Sequence, residues 1–144
     1  MHALAKKIIA RLSAKKQRLC VVESITGGRI SAALTAIPGA SEVFFAGGIF
    51  YNSDAKRQFL DIEFEEVFSP ETAEKMAQSF REKCDADFCL ATTGRAEDGE
   101  KTFFALAMRD ALFSAEKTFS GGRDAIQRAT TTLALTFLAQ KIVA

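Results

Sequence analysis

Histidine is almost missing from this chain, and that scarcity narrows the possible chemistry at once. The only one is His2, beside the N-terminus, so a Ser-His-Asp triad and a histidine zinc site are both excluded. Tryptophan is missing as well, and thirteen phenylalanines carry the aromatic packing instead, which speaks of a core more than of a function. The three cysteines, Cys20, Cys84 and Cys89, stand in apolar or helical contexts without a CxxC pair, an odd and sparse set that suits a reducing cytoplasm. Charge of one sign does not dominate: 19 basic residues face 18 acidic ones, for a net charge of +1, and no Lys/Arg block exceeds two residues. That balance argues against nucleic acid or a membrane surface as partner. No span of about 18 apolar residues occurs, and lysines interrupt the N-terminal stretch where a signal peptide would be continuously apolar, so no membrane helix is expected. There is no G-x-x-x-x-G-K-[ST] loop and no G-x-G-x-x-G after a strand, which removes the usual support for kinase, NTPase and dinucleotide-binding readings. At 144 residues the whole chain, 1–144, fits one domain able to bury a core without disulfides or metal.

What is present is organised around Leu19 to Ile30, where an apolar run stops in polar and glycine residues before a helical pattern begins. Cys20, Val21 and Val22 read as a strand buried on both faces, and Ile30, Ala33, Leu34 and Ile37 recur at helical spacing. Ser24, Thr26, Gly27 and Gly28 therefore sit at a strand-to-helix junction. Such a junction exposes unpaired N–H groups at the positive end of a helix, and paired glycines admit a ligand to the backbone, so this is the first place to seek an anion or a nucleophile.

The remaining pattern alternates. Leu4, Ile8, Ile9 and Leu12 stripe an amphipathic helix over Ala3–Lys16 whose lysine face reads as solvated surface. Val43 to Tyr51 is rich in β-formers and reads as an inner strand, with Gly47 and Gly48 marking a bulge or a close backbone approach. Asn52-Ser53-Asp54 caps a short helix. Ser69-Pro70 opens another that reaches about Asp85. Phe88 to Thr92 is a strand ending in Thr93-Gly94, and Thr102–Met108 with Ala111–Phe119 forms a hairpin. A last helix runs from Arg123 to about Val143, with Ile126, Leu133, Phe137 and Ile142 facing inward. The expected fold is a three-layer α/β/α sandwich on a mixed sheet of about five strands.

Without histidine, a serine at a helix N-terminus needs Lys, Tyr or a carboxylate as its base, and Lys qualifies only where burial or a neighbouring cation keeps it neutral. Tyr51 and Lys56 stand five residues apart across a strand end and the next helix start, so both can approach Ser24. The residues alone favour the plainer reading, with Ser24 as a helix cap, Tyr51 as a sheet-edge aromatic and Lys56 as a solvated lysine. Glu23 either orients a ligand hydroxyl or caps the helix. Thr93-Gly94 either ends a strand in an ordinary turn or brings a hydroxyl and an N–H to the sheet edge that holds ligands in open α/β folds. Arg123 and Arg128, around the start of the last helix, either bind a phosphate by the planar fork or lie free on the surface.

These positions resemble the CinA C-terminal domain family, whose stand-alone members are nicotinamide-nucleotide amidohydrolases, and the likeness covers nearly the whole chain. Glu23-Ser24-Ile25-Thr26-Gly27-Gly28 is similar to the family's E-S-C-T-G-G. Ile37-Pro38-Gly39-Ala40-Ser41 followed by Val43-Phe44 resembles its P-G-S-S…F segment. Gly47 to Tyr51 with Asp54-Ala55-Lys56 resembles its G…Y-S-N-E-A-K block, and Thr93-Gly94 its V-T-G. Gly122-Arg123-Asp124 with Arg128 is similar to its G-D-R-x-x-V-R ending. The resemblance implies hydrolysis of the carboxamide of nicotinamide mononucleotide to nicotinic acid mononucleotide and ammonia, with no metal and no cofactor. Ser24 would be the nucleophile, Lys56 its general base and Tyr51 a hydroxyl that shares the proton or steadies the intermediate. Backbone N–H groups after Ser24 would hold the oxyanion. Glu23, Thr26, Gly27, Gly28, Thr93, Gly94, Arg123 and Arg128 would surround the substrate. A homodimer and a cytoplasmic setting are implied too. The likeness breaks after Gly94, where the family's I-A-G-P-G-G-G loop is replaced by Arg95-Ala96-Glu97-Asp98-Gly99-Glu100, shorter and expected to set three carboxylates beside an anionic phosphate. That break favours a rival reading, a catalytically degenerate CinA-like module that binds a ligand or protein. A third is an amidase or esterase for a substrate lacking phosphate.

Overall fold

The computed structural model describes residues 1–143. Five strands, β1 (Leu19–Glu23), β2 (Phe44–Ile49), β3 (Phe88–Gly94), β4 (Lys101–Met108) and β5 (Leu112–Thr118), form one sheet in the order β2-β1-β3-β4-β5. β1 is parallel to both β2 and β3, while β4 and β5 add antiparallel, so the mixed sheet is the one expected. Helices α1 (His2–Ala14), α2 (Arg29–Thr35), α3 (Ser53–Leu60), α4 (Pro70–Cys84) and α5 (Arg123–Lys141) cover both faces, with one 3-10 turn at Ala40–Glu42.

Alternation along the strands separates two cores. Leu19, Val21, Leu90 and Leu106 point toward α1, α2 and α5, where they meet Ile8, Leu12, Leu34 and Leu135. Cys20, Val22, Ala91 and Ala105 point the other way, against Leu60, Met76 and Ala77. Every residue of β1 is buried, as a central strand covered by helices on both faces must be. The cysteines sit in the second core as free thiols. A hydrogen bond with Cys89 and then burial push the Cys20 thiol upward, and burial pushes Cys84 up to about 12, so both behave as small apolar fillers.

Helix boundaries follow the caps. Asn52 Oδ1 accepts from Ala55 N at 2.8 Å and Ser69 Oγ from Thr72 N at 3.1 Å, each satisfying a donor the helix itself leaves open.

Two expectations change. β2 is an edge strand, pairing only with β1, and its residues alternate between half-buried and exposed. The run of β-formers over 43–51 reads as inner because it is apolar on both faces, yet one of those faces looks outward, leaving Phe45 and Ile49 more than half exposed. The pairing irregularity lies opposite Leu19/Cys20, with Phe45 as the extra residue, and not at the glycines. Gly47 and Gly48 serve close approach instead: a Cβ on Gly47 would stand 2.5 Å from Ser31 Oγ, and one on Gly48 2.8 Å from the Phe50 ring. On α5 the buried stripe runs through Ile126, Thr130, Ala134, Leu135 and Leu138, with Leu133 and Phe137 half-buried on its flank.

Candidate active site

β1 ends at Glu23 and delivers Ser24 into a tight turn closed by Gly27 N to Ser24 O at 3.0 Å. Gly27 and Gly28 occupy the left-handed region at φ 58° and 97°, which lets the chain reverse into α2 at little cost. The N-terminus of α2 carries no capping side chain of its own. Its donors go to Glu23, which is fully buried. Oε1 accepts from Thr26 Oγ1 (2.6 Å), Gly28 N (3.2 Å) and Ile30 N (3.0 Å), and Oε2 from Ser31 N (2.9 Å) and Ser31 Oγ (2.7 Å). The anion that this junction invites is the chain's own carboxylate. Glu23 is thus a cap, and the Thr26 side chain, whose hydroxyl also meets Thr92 Oγ1 at 2.9 Å, is a buried strut spent inside the fold.

Ser24 has a different neighbour. Lys56, in the first turn of α3 four residues after the Asn52 cap, is 1% exposed and sends its ammonium to Ser24 Oγ at 2.9 Å, Phe50 O at 2.9 Å and Tyr51 O at 3.3 Å. No carboxylate pairs with it among the described residues. Burial without a counter-ion lowers its pKa from the ordinary lysine value to about 8, since desolvation disfavours the charged form. In the neutral amine, two N–H groups satisfy the two carbonyls and the lone pair is left for the Ser24 hydroxyl.

Tyr51 joins this cluster by its carbonyl, not its hydroxyl. The ring is more than half exposed, and Tyr51 Oη accepts from Arg123 Nη1 at 2.9 Å. Thr93 is buried and donates to Val67 O at 3.3 Å. At Gly94, φ 147°, a Cβ would lie 2.9 Å from Lys101 O and from Thr102 Cα, so the residue admits β4 and not only a ligand. Arg128 stands away from Ser24, paired with Asp124 at 3.0 Å in a cluster that includes Arg29.

A cleft of about 190 Å³ opens over Ser24 between Tyr51, Phe68 and Gly94, with Arg95, Glu97 and Arg123 at its margin. Of the three carboxylates expected there, only Glu97 lines it. Asp98 accepts from Gly121 N at 2.7 Å, and Glu100 borders a separate hollow beside Lys101. Arg95, stacked 4.6 Å over the Phe68 ring, brings a positive charge that the acidic composition of the segment conceals. Sequence reasoning also missed Gln127, whose buried amide donates to Ile25 O at 3.0 Å and clamps the Ser24 turn to α5. A glutamine within an apolar helix stripe was the available signal.

With this geometry in view, comparison with known proteins is specific. The model of the CinA C-terminal domain family matches residues 1–142. A putative competence-damage inducible protein of Caldicellulosiruptor bescii is 36% identical over 154 residues, covering 97% of this chain and 37% of the relative. A CinA-like protein of Parasynechococcus marenigrum is 34% identical, covering 99% and 38%. The chain thus spans well under half the length of these curated relatives. Among solved structures, the competence/damage inducible protein CihA from Agrobacterium tumefaciens superposes with a TM-score of 0.89 at 32% identity, covering 95% of this chain and 92% of that one. A competence or damage-inducible protein from Enterobacter asburiae reaches 0.93 at 26% identity, covering 98% and 97%.

Proposed function

We propose, from the premise that this chain belongs to the CinA C-terminal domain family, that it is a serine amidohydrolase in which Lys56 replaces histidine as the base and a carboxamide such as that of nicotinamide mononucleotide is the substrate. The observation that carries this reading is the 2.9 Å approach of the Lys56 amine to Ser24 Oγ inside a buried pocket whose other partners are carbonyl oxygens. A lysine tied to a carboxylate would stay charged. This one is held where the neutral form is accessible.

The chemistry follows from that pair. Neutral Lys56 takes the Ser24 proton as Oγ attacks the carboxamide carbon, and the resulting ammonium returns it to the departing nitrogen. Ammonia leaves, and an ester on Ser24 remains. Water then attacks that ester by the same route, releasing the acid and restoring Ser24. Glu23 consumes the N–H groups of Gly28, Ile30 and Ser31, which leaves those of Ile25 and Thr26, adjacent to Ser24, as the donors for the oxyanion.

Ammonia release from nicotinamide mononucleotide tests the reading, with Ser24→Ala and Lys56→Ala as controls. Turnover that needs both residues supports it. Absence of turnover removes this substrate, and turnover surviving Ser24→Ala removes the mechanism. A homodimer belongs to the same proposal and draws support from the exposed apolar pair Phe45 and Ile49 on edge strand β2. Sedimentation velocity at micromolar concentration checks it. Free thiols throughout support a cytoplasmic setting, and no helix of the described residues is long and apolar enough to cross a membrane.

A further inference from the structure

The segment that departs from the family pattern sets charges of both signs at the mouth of the cleft. Arg95 and Arg123 line it over Ser24. Each is positioned by an aromatic residue: Arg95 by stacking on Phe68, and Arg123 by donating to Tyr51 Oη at 2.9 Å. Glu97 lines the same cleft. Among the described residues none of the three takes part in an ion pair, although Arg95 and Glu97 are two positions apart in the chain. The neighbouring acids are absorbed elsewhere, Asp98 by Gly121 N and Glu100 by the adjoining hollow. The chain thus leaves two guanidinium groups and one carboxylate un-neutralised around one nucleophile.

Such an arrangement discriminates by charge pattern. A plain anion gains from Arg95 and Arg123 and is opposed by Glu97; a plain cation meets the reverse. Only a ligand carrying both signs gains from all three. The cleft holds about 190 Å³, below the roughly 300–1,000 Å³ of pockets that enclose a drug-sized ligand. It therefore takes the reacting carboxamide and its immediate frame, and the charged substituents lie over the rim where Arg95 and Glu97 are exposed.

We infer that Arg95 and Glu97 are specificity-determining residues that select carboxamides bearing both a cationic and an anionic group, the cation facing Glu97 and the anion facing Arg95 and Arg123. This rests on the amidohydrolase reading for its reacting group, but its test is one of binding. Nicotinamide, nicotinamide riboside and nicotinamide mononucleotide share one carboxamide and add first the cationic ring and then the phosphate. N-carboxymethyl nicotinamide replaces ribose phosphate by a carboxylate on the same cationic ring.

Calorimetric titration of these four into the Ser24→Ala protein measures affinity without turnover. Affinity should be highest for the two doubly charged compounds, with the riboside, a plain cation opposed by two arginines, no tighter than nicotinamide. Arg95→Gln should weaken the mononucleotide by about tenfold and, by removing a like charge, tighten the riboside, and Glu97→Gln should weaken both by about tenfold relative to nicotinamide. If the carboxymethyl compound is affected by Arg95→Gln as strongly as the mononucleotide, the anion recognised is any small anion; if only the mononucleotide is, it is phosphate. Both substitutions are on exposed side chains, and circular dichroism confirms that the variants fold. Equal affinities across the series, ratios unmoved by either substitution, or failure of the mononucleotide to bind overturns the inference. Ammonia release by the native protein is read in parallel. A doubly charged amide that binds with the expected ratios and is never hydrolysed sinks the amidohydrolase reading and leaves the charge selection standing.

Discussion

Two side chains that ordinarily carry charge lie fully out of water on either side of Ser24, and their surroundings could hardly differ more. Glu23 is met by five donors from its own helix and turn. Lys56 is met by two carbonyls and one hydroxyl, with no opposite charge. Burial is the same for both; partners decide what burial does. A carboxylate with its acceptor sites filled becomes part of the scaffold, whereas an amine denied a counter-ion is pushed toward the state in which it can accept a proton.

The largest effect is expected where that contrast bears on chemistry. Lys56→Ala should lower kcat/KM for amide hydrolysis by at least about a thousandfold, read by ammonia release, as expected when a nucleophile loses its base. Next comes Glu23→Ala, which strands the donors of α2 and should cost roughly 3–5 kcal/mol in a urea melt. A small cost there would break the comparison, because Glu23 would then be no more structural than Lys56. The third test uses pH. With the Lys56 value about 8 in the folded chain and near 10.4 unfolded, the unfolded state binds more protons between those limits, so stability should rise with pH across that window by roughly 3 kcal/mol relative to Lys56→Met. Activity should climb over the same lower limit, about tenfold per pH unit below 8 and level above it. A smaller change is expected at Gly28, one of the Glu23 donors. An alanine there would be strained at φ 97° and would bring its Cβ 2.8 Å from Ile49 Cδ1, costing about 1–2 kcal/mol by thermal melt. Smallest is Tyr51→Phe. Lys56 uses the Tyr51 carbonyl, which the substitution keeps, so kcat should fall by no more than about fivefold, the worth of one exposed hydrogen bond. A hundredfold loss would return the hydroxyl to the proton path.

The layers, the mixed sheet and most element limits were legible because they rest on local signals: the apolar run that stops at Ser24, the caps Asn52 and Ser69, and the Arg109-Asp110 hairpin. The place of β2 at the sheet edge was not, since strand order is settled by tertiary pairing and a two-sided apolar strand reads alike at centre and edge. At the site, the spacing of Tyr51 and Lys56 pointed to the stretch that meets Ser24. It could not tell a carbonyl contact from a hydroxyl contact: Lys56 meets the Tyr51 carbonyl, and the Tyr51 hydroxyl lies on Arg123. For Glu23 the sequence offered capping and ligand orientation without separating them: α2 has a glycine where a capping side chain is expected, and its cap comes from the strand before it. Arg95 and Glu97 were visible as charges, but that Asp98 turns away from the cleft depends on Gly121, far along the chain.

The Gln127 amide clamps the Ile25 carbonyl across 102 positions of chain. During synthesis at roughly 5–20 residues per second, Ser24 therefore waits on the order of 5–20 s before the residue that pins its turn has even been made. A nascent polypeptide that has passed Lys56 but not Gln127 carries Ser24 and its lysine without that clamp, so the geometry around them is completed late, as α5 is translated and docks.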